Sequence, residues 1–88
     1  MIDVEYSTAF KKEVKRVMLQ GRDILKMFVP VAALLNGEHL PPQYQDHPLK
    51  GDYTGHRDCH IEPDWILIYK VDKPYIDFVR TGTHSDLF

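Results

Sequence analysis

The spacing of apolar residues in the first half of the chain predicts one short strand followed by two helices. Apolar and acidic residues alternate over residues 2–6, which is the period-two pattern of a half-buried strand. Ser7 comes next and is a candidate N-cap, because its hydroxyl can accept a hydrogen bond from a free amide of the first helical turn. The following helix is predicted from apolar residues that lie on one of its sides: Phe10, Val14, Val17 and Met18.

Glycine and proline residues divide this helical region. We expect the first helix to end at Gly21, which can adopt the left-handed conformation of a helix C-terminus, and a second helix to cover about residues 22–36. Pro30 lies inside the second helix, where it has no amide hydrogen to donate and its ring clashes with the preceding turn. The sequence therefore predicts a kink or a break near Val29, and an irregular, proline-rich connection over residues 39–48.

The second half of the chain is typical of antiparallel strands. Two extended runs cover residues 56–61 and 65–71, and the turn between them at residues 62–64 has proline in its second position. A further strand is predicted over residues 75–81, followed by a short tail at residues 83–88.

The order of these elements predicts an α+β fold. Residues 66–69 are apolar at every position, which indicates a central strand that is covered on both faces. We expect an N-terminal strand and two helices packed on a small, mostly antiparallel sheet, all within one domain over residues 1–88.

The composition excludes several classes of protein. Of the 88 residues, 43% are hydrophobic and 27% are charged, which is typical of one folded domain. The single cysteine, Cys59, rules out an intramolecular disulfide and fits a reducing compartment. The longest apolar run, residues 27–35, is much shorter than a membrane helix requires. We therefore expect a cytoplasmic protein without a membrane partner.

Positive charge is concentrated in the predicted helices. The formal net charge of −2 argues against a nucleic-acid partner, but residues 10–26 contain six basic and two acidic residues, a local charge of +4. Several of the basic residues are one helical turn apart, which destabilises an isolated helix. A phosphate-rich partner would explain this arrangement, and a solvated helix face is the alternative. The residues concerned are Lys11, Lys12, Lys15, Arg16, Arg22 and Lys26.

Three histidines lie at the ends of predicted strands or in the loops beside them: His47, His60 and His84. Histidine gains and loses protons near neutral pH, so two of them can act as base and acid. RNA cleavage without a metal needs a base for the ribose 2′-hydroxyl, an acid for the leaving 5′-oxygen and cations beside the phosphorus. Asp64 lies four residues after His60, across the turn, so we expect it at the same end of the sheet.

Basic and aromatic residues close to these histidines suit an RNA substrate. Arg57 and Arg80 can offset phosphate charge. Trp65 and Phe88 offer surfaces on which unpaired bases can stack.

Each of these residues also has a structural interpretation. A histidine at a strand end is often a surface or capping residue. Trp65 could be a core residue, and Arg80 could form an ion pair with Asp77 or Asp64. A metal site is a third interpretation, since the three histidines and Asp64 are acceptable ligands. Pro63 opposes a helical pair of ligands at positions 60 and 64, and one cysteine gives no structural zinc motif. We therefore expect neither a metal nor a cofactor.

Three segments of the chain resemble a known family. Residues 45–51 (QDHPLKG), 57–69 (RDCHIEPDWILIY) and 80–88 (RTGTHSDLF) have an order and spacing similar to the YafQ branch of the RelE/ParE toxin superfamily. The resemblance covers essentially the whole chain. It implies the compact α+β fold of microbial ribonucleases. It also implies a toxin of a type II toxin–antitoxin system, an endoribonuclease that enters the ribosomal A site and cuts mRNA.

The resemblance implies roles for particular residues. The catalytic residues would be His47, His60, Asp64 and His84. We assign His47 as the general base and His84 as the general acid, although the two could exchange roles. His60 and Asp64 would orient these histidines and adjust their pKa values.

The resemblance also implies two sets of residues that bind RNA. The substrate-binding residues would be Trp65, Phe88, Arg80, Arg57 and Lys50, of which the aromatic pair positions the message and the cations offset charge on the phosphorus. The six basic residues of the helices would face ribosomal RNA.

The resemblance implies a cognate antitoxin that blocks activity, with mRNA and the ribosome as the other partners. DNA would be contacted only indirectly, through the antitoxin. Two other functions stay open. A DNA gyrase inhibitor of the ParE type would share the fold and needs no histidine cluster, and a non-catalytic RNA-binding module would need no acid or base. The net charge of −2 is also lower than is typical of these toxins.

Overall fold

The computed structural model describes residues 3–88. Its strands are β1 (Asp3–Tyr6), β2 (His47–Pro48), β3 (Arg57–Glu62), β4 (Trp65–Asp72) and β5 (Tyr75–Gly82). Its helices are α1 (Thr8–Leu19), α2 (Leu25–Leu35) and the short α3 (His84–Leu87), and single 3₁₀ turns cover Pro42–Tyr44 and Gly51–Tyr53. Ile2, where the predicted first strand begins, lies outside the described residues. Over residues 3–88, every helix is too short or too polar to cross a membrane.

The five strands form one sheet in the order β1-β5-β4-β3-β2. β1 runs parallel to β5, and the other three pairs are antiparallel. The predicted α+β fold with a mostly antiparallel sheet is therefore confirmed, and β4 is the central strand, as its apolar sequence indicated. β2 was not predicted, because two residues are too few to show an alternating pattern.

Local signals explain where α1 begins and ends. The Ser7 hydroxyl accepts a hydrogen bond from the Phe10 amide at 2.9 Å, as the N-cap prediction required. Gly21 has a φ of +84° just past the helix, in the left-handed region that favours glycine. Val17 is buried, as predicted, but Met18 is 52% exposed, so the apolar side of α1 is narrower than the sequence indicated.

α2 continues through Pro30, so of the predicted kink or break near Val29 the break is wrong. The helix begins at Leu25 and not at residue 22, so Arg22 lies in the connection between α1 and α2. Proline removes one hydrogen bond, the one that would reach the Lys26 carbonyl in the first turn. The Pro30 ring is itself fully buried, and its packing offsets part of this loss. An unfavourable residue inside a helix is thus accommodated by tertiary contacts.

The two faces of the sheet are covered differently. On one face, Trp65, Leu67 and Tyr69 of β4 belong to a core cluster with residues of α1 and α2. On the other face, Ile66 and Ile68 form a second cluster with Leu87 of α3, and Leu49, Tyr53 and Val79 pack against it. The second face is therefore the one on which polar side chains can reach solvent.

The C-terminal tail is ordered as a helical turn. The Thr83 hydroxyl caps α3 by accepting a hydrogen bond from the Asp86 amide at 3.2 Å. Leu87 is 6% exposed and anchors the turn on the second face of the sheet. The short tail predicted over residues 83–88 therefore contains a helical turn that was not predicted, and His84 and Phe88 lie at the two ends of α3.

Candidate active site

Residues from four adjacent strands form a row on the second face of the sheet. His47 of β2 is paired with Asp58 of β3, Asp58 with Ile68 of β4, and Ile68 with Arg80 of β5. Directly paired residues of neighbouring strands point to the same face. The register therefore places a histidine, a carboxylate and an arginine in one row, around an apolar residue of the second core cluster. His60, paired with Ile66, belongs to the next row on the same face.

His47 is held through one ring nitrogen. Its Nδ1 lies 2.8 Å from the Gln45 carbonyl oxygen and 3.0 Å from Oδ1 of Asp58. Because both neighbours are acceptors, Nδ1 carries the hydrogen and donates it to Gln45. The neutral ring then has its lone pair on Nε2, and half of the side chain is exposed. His47 is thus arranged to accept a proton at Nε2.

Asp58 is a buried carboxylate that the sequence analysis did not single out. The residue is 3% exposed, and its Oδ1 has no well-aligned hydrogen-bond donor among the described residues. Burial raises the pKa of the Asp58 carboxyl, and the positive forms of His47, His60 and His84 oppose this shift. All three predicted histidines therefore act electrostatically on one carboxylate.

The other two histidines lie at the edge of this site. The His60 ring is 6.4 Å from the His47 ring between centroids, and its Nδ1 donates to the Pro63 carbonyl at 3.2 Å. His84 is exposed at the first position of α3, with its ring 4.9 Å from that of Phe88. The structure thus brings His47 and His60 together around Asp58 and places His84 on the neighbouring helical turn.

An open groove with aromatic and basic residues lies beside α3. Phe88 is 53% exposed, and its ring meets that of Tyr53 edge-on at 5.8 Å. Lys50 is exposed and lines the groove together with Tyr53, Leu87 and Phe88. Phe88 and Lys50 are therefore accessible to a nucleic acid, as the predicted substrate contacts require.

Arg80 is paired with a residue that the sequence analysis missed. Its Nε and Nη2 donate to the two carboxylate oxygens of Glu13 on α1 at 2.8 and 2.7 Å, and Nη1 donates to the Tyr53 hydroxyl at 3.1 Å. Hydrogen bonding to Glu13 is the main cause of the raised pKa of Arg80. The partners considered from sequence, Asp77 and Asp64, are both wrong.

Trp65 does not offer a stacking surface, contrary to the prediction. Its side chain is 0% exposed, and its Nε1 donates to the Thr81 hydroxyl at 2.9 Å. The physical reason is its position on the first face of β4, within the core beneath α1 and α2. The guanidinium of Arg22 lies 5.8 Å above the ring and helps to cover it.

Two other predicted site residues form no hydrogen bond or ion pair with a histidine within residues 3–88. Arg57 is paired with Tyr69, on the face that the helices cover, and its guanidinium binds Asp46. Asp64 has a 71% exposed side chain 3.7 Å from Arg22. The carboxylate in contact with a predicted catalytic histidine is therefore Asp58. Alternation along the predicted strand 56–61 already placed Asp58 on the same side as His60, which was the signal available in the sequence.

The six basic residues of α1, α2 and the connection between them fall into two groups. Arg22 and Lys26 both bind the Glu62 carboxylate, at 3.0 and 2.9 Å, and Arg16 binds Asp86 at 3.0 Å. Arg22 and Lys26 thus share one carboxylate, which offsets the repulsion between the two cations. The other three are exposed and form no ion pair within residues 3–88: Lys11, Lys12 and Lys15.

Comparison with known proteins identifies the family. Residues 2–88 match the family described as bacterial toxin of type II toxin–antitoxin system, YafQ. The curated mRNA interferase toxin YafQ of Escherichia coli K12 is 46% identical over 87 residues, which cover 98% of this chain and 95% of that protein.

Solved structures agree with this assignment. The crystal structure of YafQ from E. coli BL21(DE3) has a TM-score of 0.95 at 44% identity, covering 100% of this chain and 99% of the other. YafQ in the E. coli DinJ–YafQ complex gives a TM-score of 0.93 at 45% identity, with coverage of 100% and 99%. This chain therefore belongs to the YafQ family of bacterial toxins of type II toxin–antitoxin systems.

Proposed function

We propose that this chain is an mRNA interferase, a ribosome-dependent endoribonuclease that cuts mRNA in the A site by acid–base catalysis with histidines. The observation that carries the proposal is the row in which His47, with Nδ1 3.0 Å from the buried Asp58 carboxylate, faces solvent on the same side of the sheet as Arg80. The name of the E. coli relative, an mRNA interferase toxin, supports the same activity. These groups can transfer protons and stabilise charge without a cofactor.

The proposed reaction is an in-line displacement at phosphorus. Nε2 of neutral His47 takes the proton of the ribose 2′-hydroxyl while the 2′-oxygen forms a bond to phosphorus. The bond from phosphorus to the 5′-oxygen breaks, and protonated His84 supplies a proton to that oxygen. The products are a 2′,3′-cyclic phosphate and a 5′-hydroxyl, and the two histidines end in exchanged protonation states.

Charge and stacking would come from the neighbouring residues. Asp58 stabilises the positive form of His47 after proton transfer, and His60 adds a second titrating group 6.4 Å away. Arg80 and Lys50 offset the negative charge that develops on the phosphate oxygens. Phe88 stacks on an unpaired base beside the cleaved bond.

We further propose that a cognate antitoxin binds this chain and blocks its activity. E. coli YafQ is seen in complex with DinJ, and the present chain is similar to that YafQ over its whole length. Contact with DNA would then be made by the antitoxin alone. Action on ribosomes places the active protein in the cytoplasm.

Cleavage of mRNA on programmed ribosomes tests the proposal. Replacing His47 or His84 by alanine should lower the cleavage rate roughly 100- to 10,000-fold, because each removes one proton transfer. Primer extension on the product reports the cut site and the reading frame. His39→Ala is the matched control, since His39 is exposed and lines a pocket with Arg57 and Tyr69, away from the row.

Each rival function gives a different result. A variant with His47, His60 and His84 all replaced that still arrests growth and binds mRNA would support a non-catalytic module. Inhibited supercoiling by DNA gyrase, with mRNA left intact, would support a gyrase inhibitor. Full activity of His84→Ala would contradict the assigned acid.

A further inference from the structure

Glu13, on α1, makes three hydrogen bonds to β5. Its carboxylate accepts two from Arg80, and Oε1 accepts a third from the Thr81 amide at 3.3 Å. We propose that Glu13 is a positioning residue, which orients the Arg80 guanidinium toward the phosphate that is cleaved. The inference rests on the proposed ribonuclease function and adds a residue that the family motifs do not include.

The hydrogen bonds of Arg80 show what remains for a substrate. A guanidinium has five N–H groups, one on Nε and two on each Nη. Glu13 and Tyr53 together take three of them. One N–H group on each Nη is left, and two such donors suit paired contacts with phosphate oxygens. The Arg80 side chain keeps 28% of its surface exposed, so it is open to solvent while it is bound to Glu13.

The surroundings of Glu13 make its carboxylate rigid. β1 pairs with β5 only as far as Phe78, so the Thr81 amide lies on an edge of β5 that β1 does not cover. Glu13 satisfies that amide while it is 7% exposed, and its oxygens are fixed by three donors. A rigid acceptor limits the rotation of the arginine, and a preorganised donor is more effective than a mobile one.

Glu13 also neutralises the cation that it holds. A residue selected only to attract RNA would have no buried carboxylate within 2.7 Å. The Glu13 charge weakens the attraction of Arg80 for RNA, but its hydrogen bonds orient the guanidinium. Removing the charge should therefore leave RNA binding as strong or stronger and slow the chemical step. A purely structural ion pair predicts a change in stability alone.

Single-turnover cleavage on programmed ribosomes separates these two readings. Glu13→Gln should lower the rate at saturating ribosome concentration about 10- to 100-fold, because the arginine loses a charged acceptor and its orientation. The concentration for half-saturation should stay the same or fall, because the protein loses one negative charge. Glu38→Gln makes the same charge change at an exposed position and should leave the rate unchanged. An unchanged rate for folded Glu13→Gln would overturn the inference.

A double variant tests whether Glu13 acts through Arg80. In an Arg80→Ala background, Glu13→Gln should slow cleavage by less than about twofold further, since the two residues form one unit. A further loss as large as that of Glu13→Gln alone would refute the role. Glu13→Asp keeps the charge but withdraws the carboxylate, so it should also slow cleavage, and thermal unfolding verifies that each variant is folded. Failure of the parent protein to cleave would instead refute the proposed function.

Discussion

Asp58 occupies a position that is costly for a carboxylate and useful for a general base. It is 3% exposed, and Nδ1 of His47 lies 3.0 Å from its Oδ1. The ionised carboxylate is therefore poorly hydrated, which raises the free energy of its charged form. Such a group reduces stability at neutral pH, but its negative charge favours the protonated form of the neighbouring histidine after proton transfer. Two buried carboxylates of this site each lie beside a group that carries positive charge. Asp58 lies beside His47, which becomes positive when it takes a proton, and Glu13 binds Arg80.

The raised pKa of Asp58 predicts a pH-dependent stability. The folded protein binds this proton more tightly than the unfolded chain, so the stabilisation is complete below the ordinary carboxyl pKa of 3.8 and is lost as pH rises through the higher folded value. The amide side chain of the Asp58→Asn variant does not ionise in this pH range. The unfolding free energy of the variant minus that of the parent should therefore increase as pH rises above about 4, because only the parent loses stability. Denaturant titrations at several pH values measure this difference.

Asp72→Asn is the control for this measurement, because Asp72 is exposed at the end of β4. Its difference from the parent should vary much less with pH than that of Asp58→Asn. A constant difference for Asp58→Asn over the same range would contradict the raised pKa.

The sequence predicted these residues unevenly, for physical reasons. The histidines were recognised because their acid–base chemistry follows from the residue type alone. Glu13 was not recognised, because its partner lies 67 residues away and only the packing of α1 on β5 brings them together. Trp65 was misassigned because an aromatic residue at a strand end suits a core as well as a stacking surface. The catalytic and RNA-binding roles of the accessible residues stay predictions.

At the scale of elements, prediction depended on how much of an apolar pattern each element shows. α1, β4 and β5 each extend over at least eight residues, enough for apolar periodicity to be read. α3 has four residues and β2 has two. An isolated helix as short as α3 is unstable in water, so its order depends on Thr83, on the ion pair of Asp86 with Arg16 and on the burial of Leu87. The two short elements carry His84 and His47.

Removing the anchor of α3 should therefore affect both stability and cleavage. Leu87→Ala leaves a cavity beside Ile66 and Ile68, and should lower the unfolding free energy by about 2 kcal/mol or more. It should also slow cleavage roughly 10- to 100-fold under conditions where the variant is fully folded, because His84 and Phe88 lose their fixed positions. Denaturant unfolding and ribosome-programmed cleavage measure the two effects.

Leu19→Ala is the matched control for this change. Leu19 is 89% exposed at the end of α1, so its truncation should change the unfolding free energy by less than about 0.5 kcal/mol. Equal cleavage rates for folded Leu87→Ala and the parent would show that α3 does not position the acid.

At the scale of the whole molecule, the placement of charge matters more than its sum. The net charge is −2, yet residues 10–26 contain six basic residues. Three of these are bound to carboxylates of the protein, at Glu62 and Asp86. An internal ion pair must be broken or shared before its cation can bind a phosphate, so those residues should contribute less to ribosome binding. The three lysines of α1 remain as the main electrostatic surface of the helices.

The salt dependence of ribosome binding tests this division. Replacing Lys11, Lys12 and Lys15 together by alanine should reduce the slope of log affinity against log salt by about 2 to 3, since each phosphate contact contributes roughly 0.7 to 0.9. Lys70→Ala removes an exposed lysine on β4 and should leave the slope nearly unchanged. The triple variant of Arg16, Arg22 and Lys26 should reduce the slope by a smaller amount, because these cations already have protein partners. If the two triple variants gave equal slopes, intramolecular pairing would not determine which basic residues face ribosomal RNA.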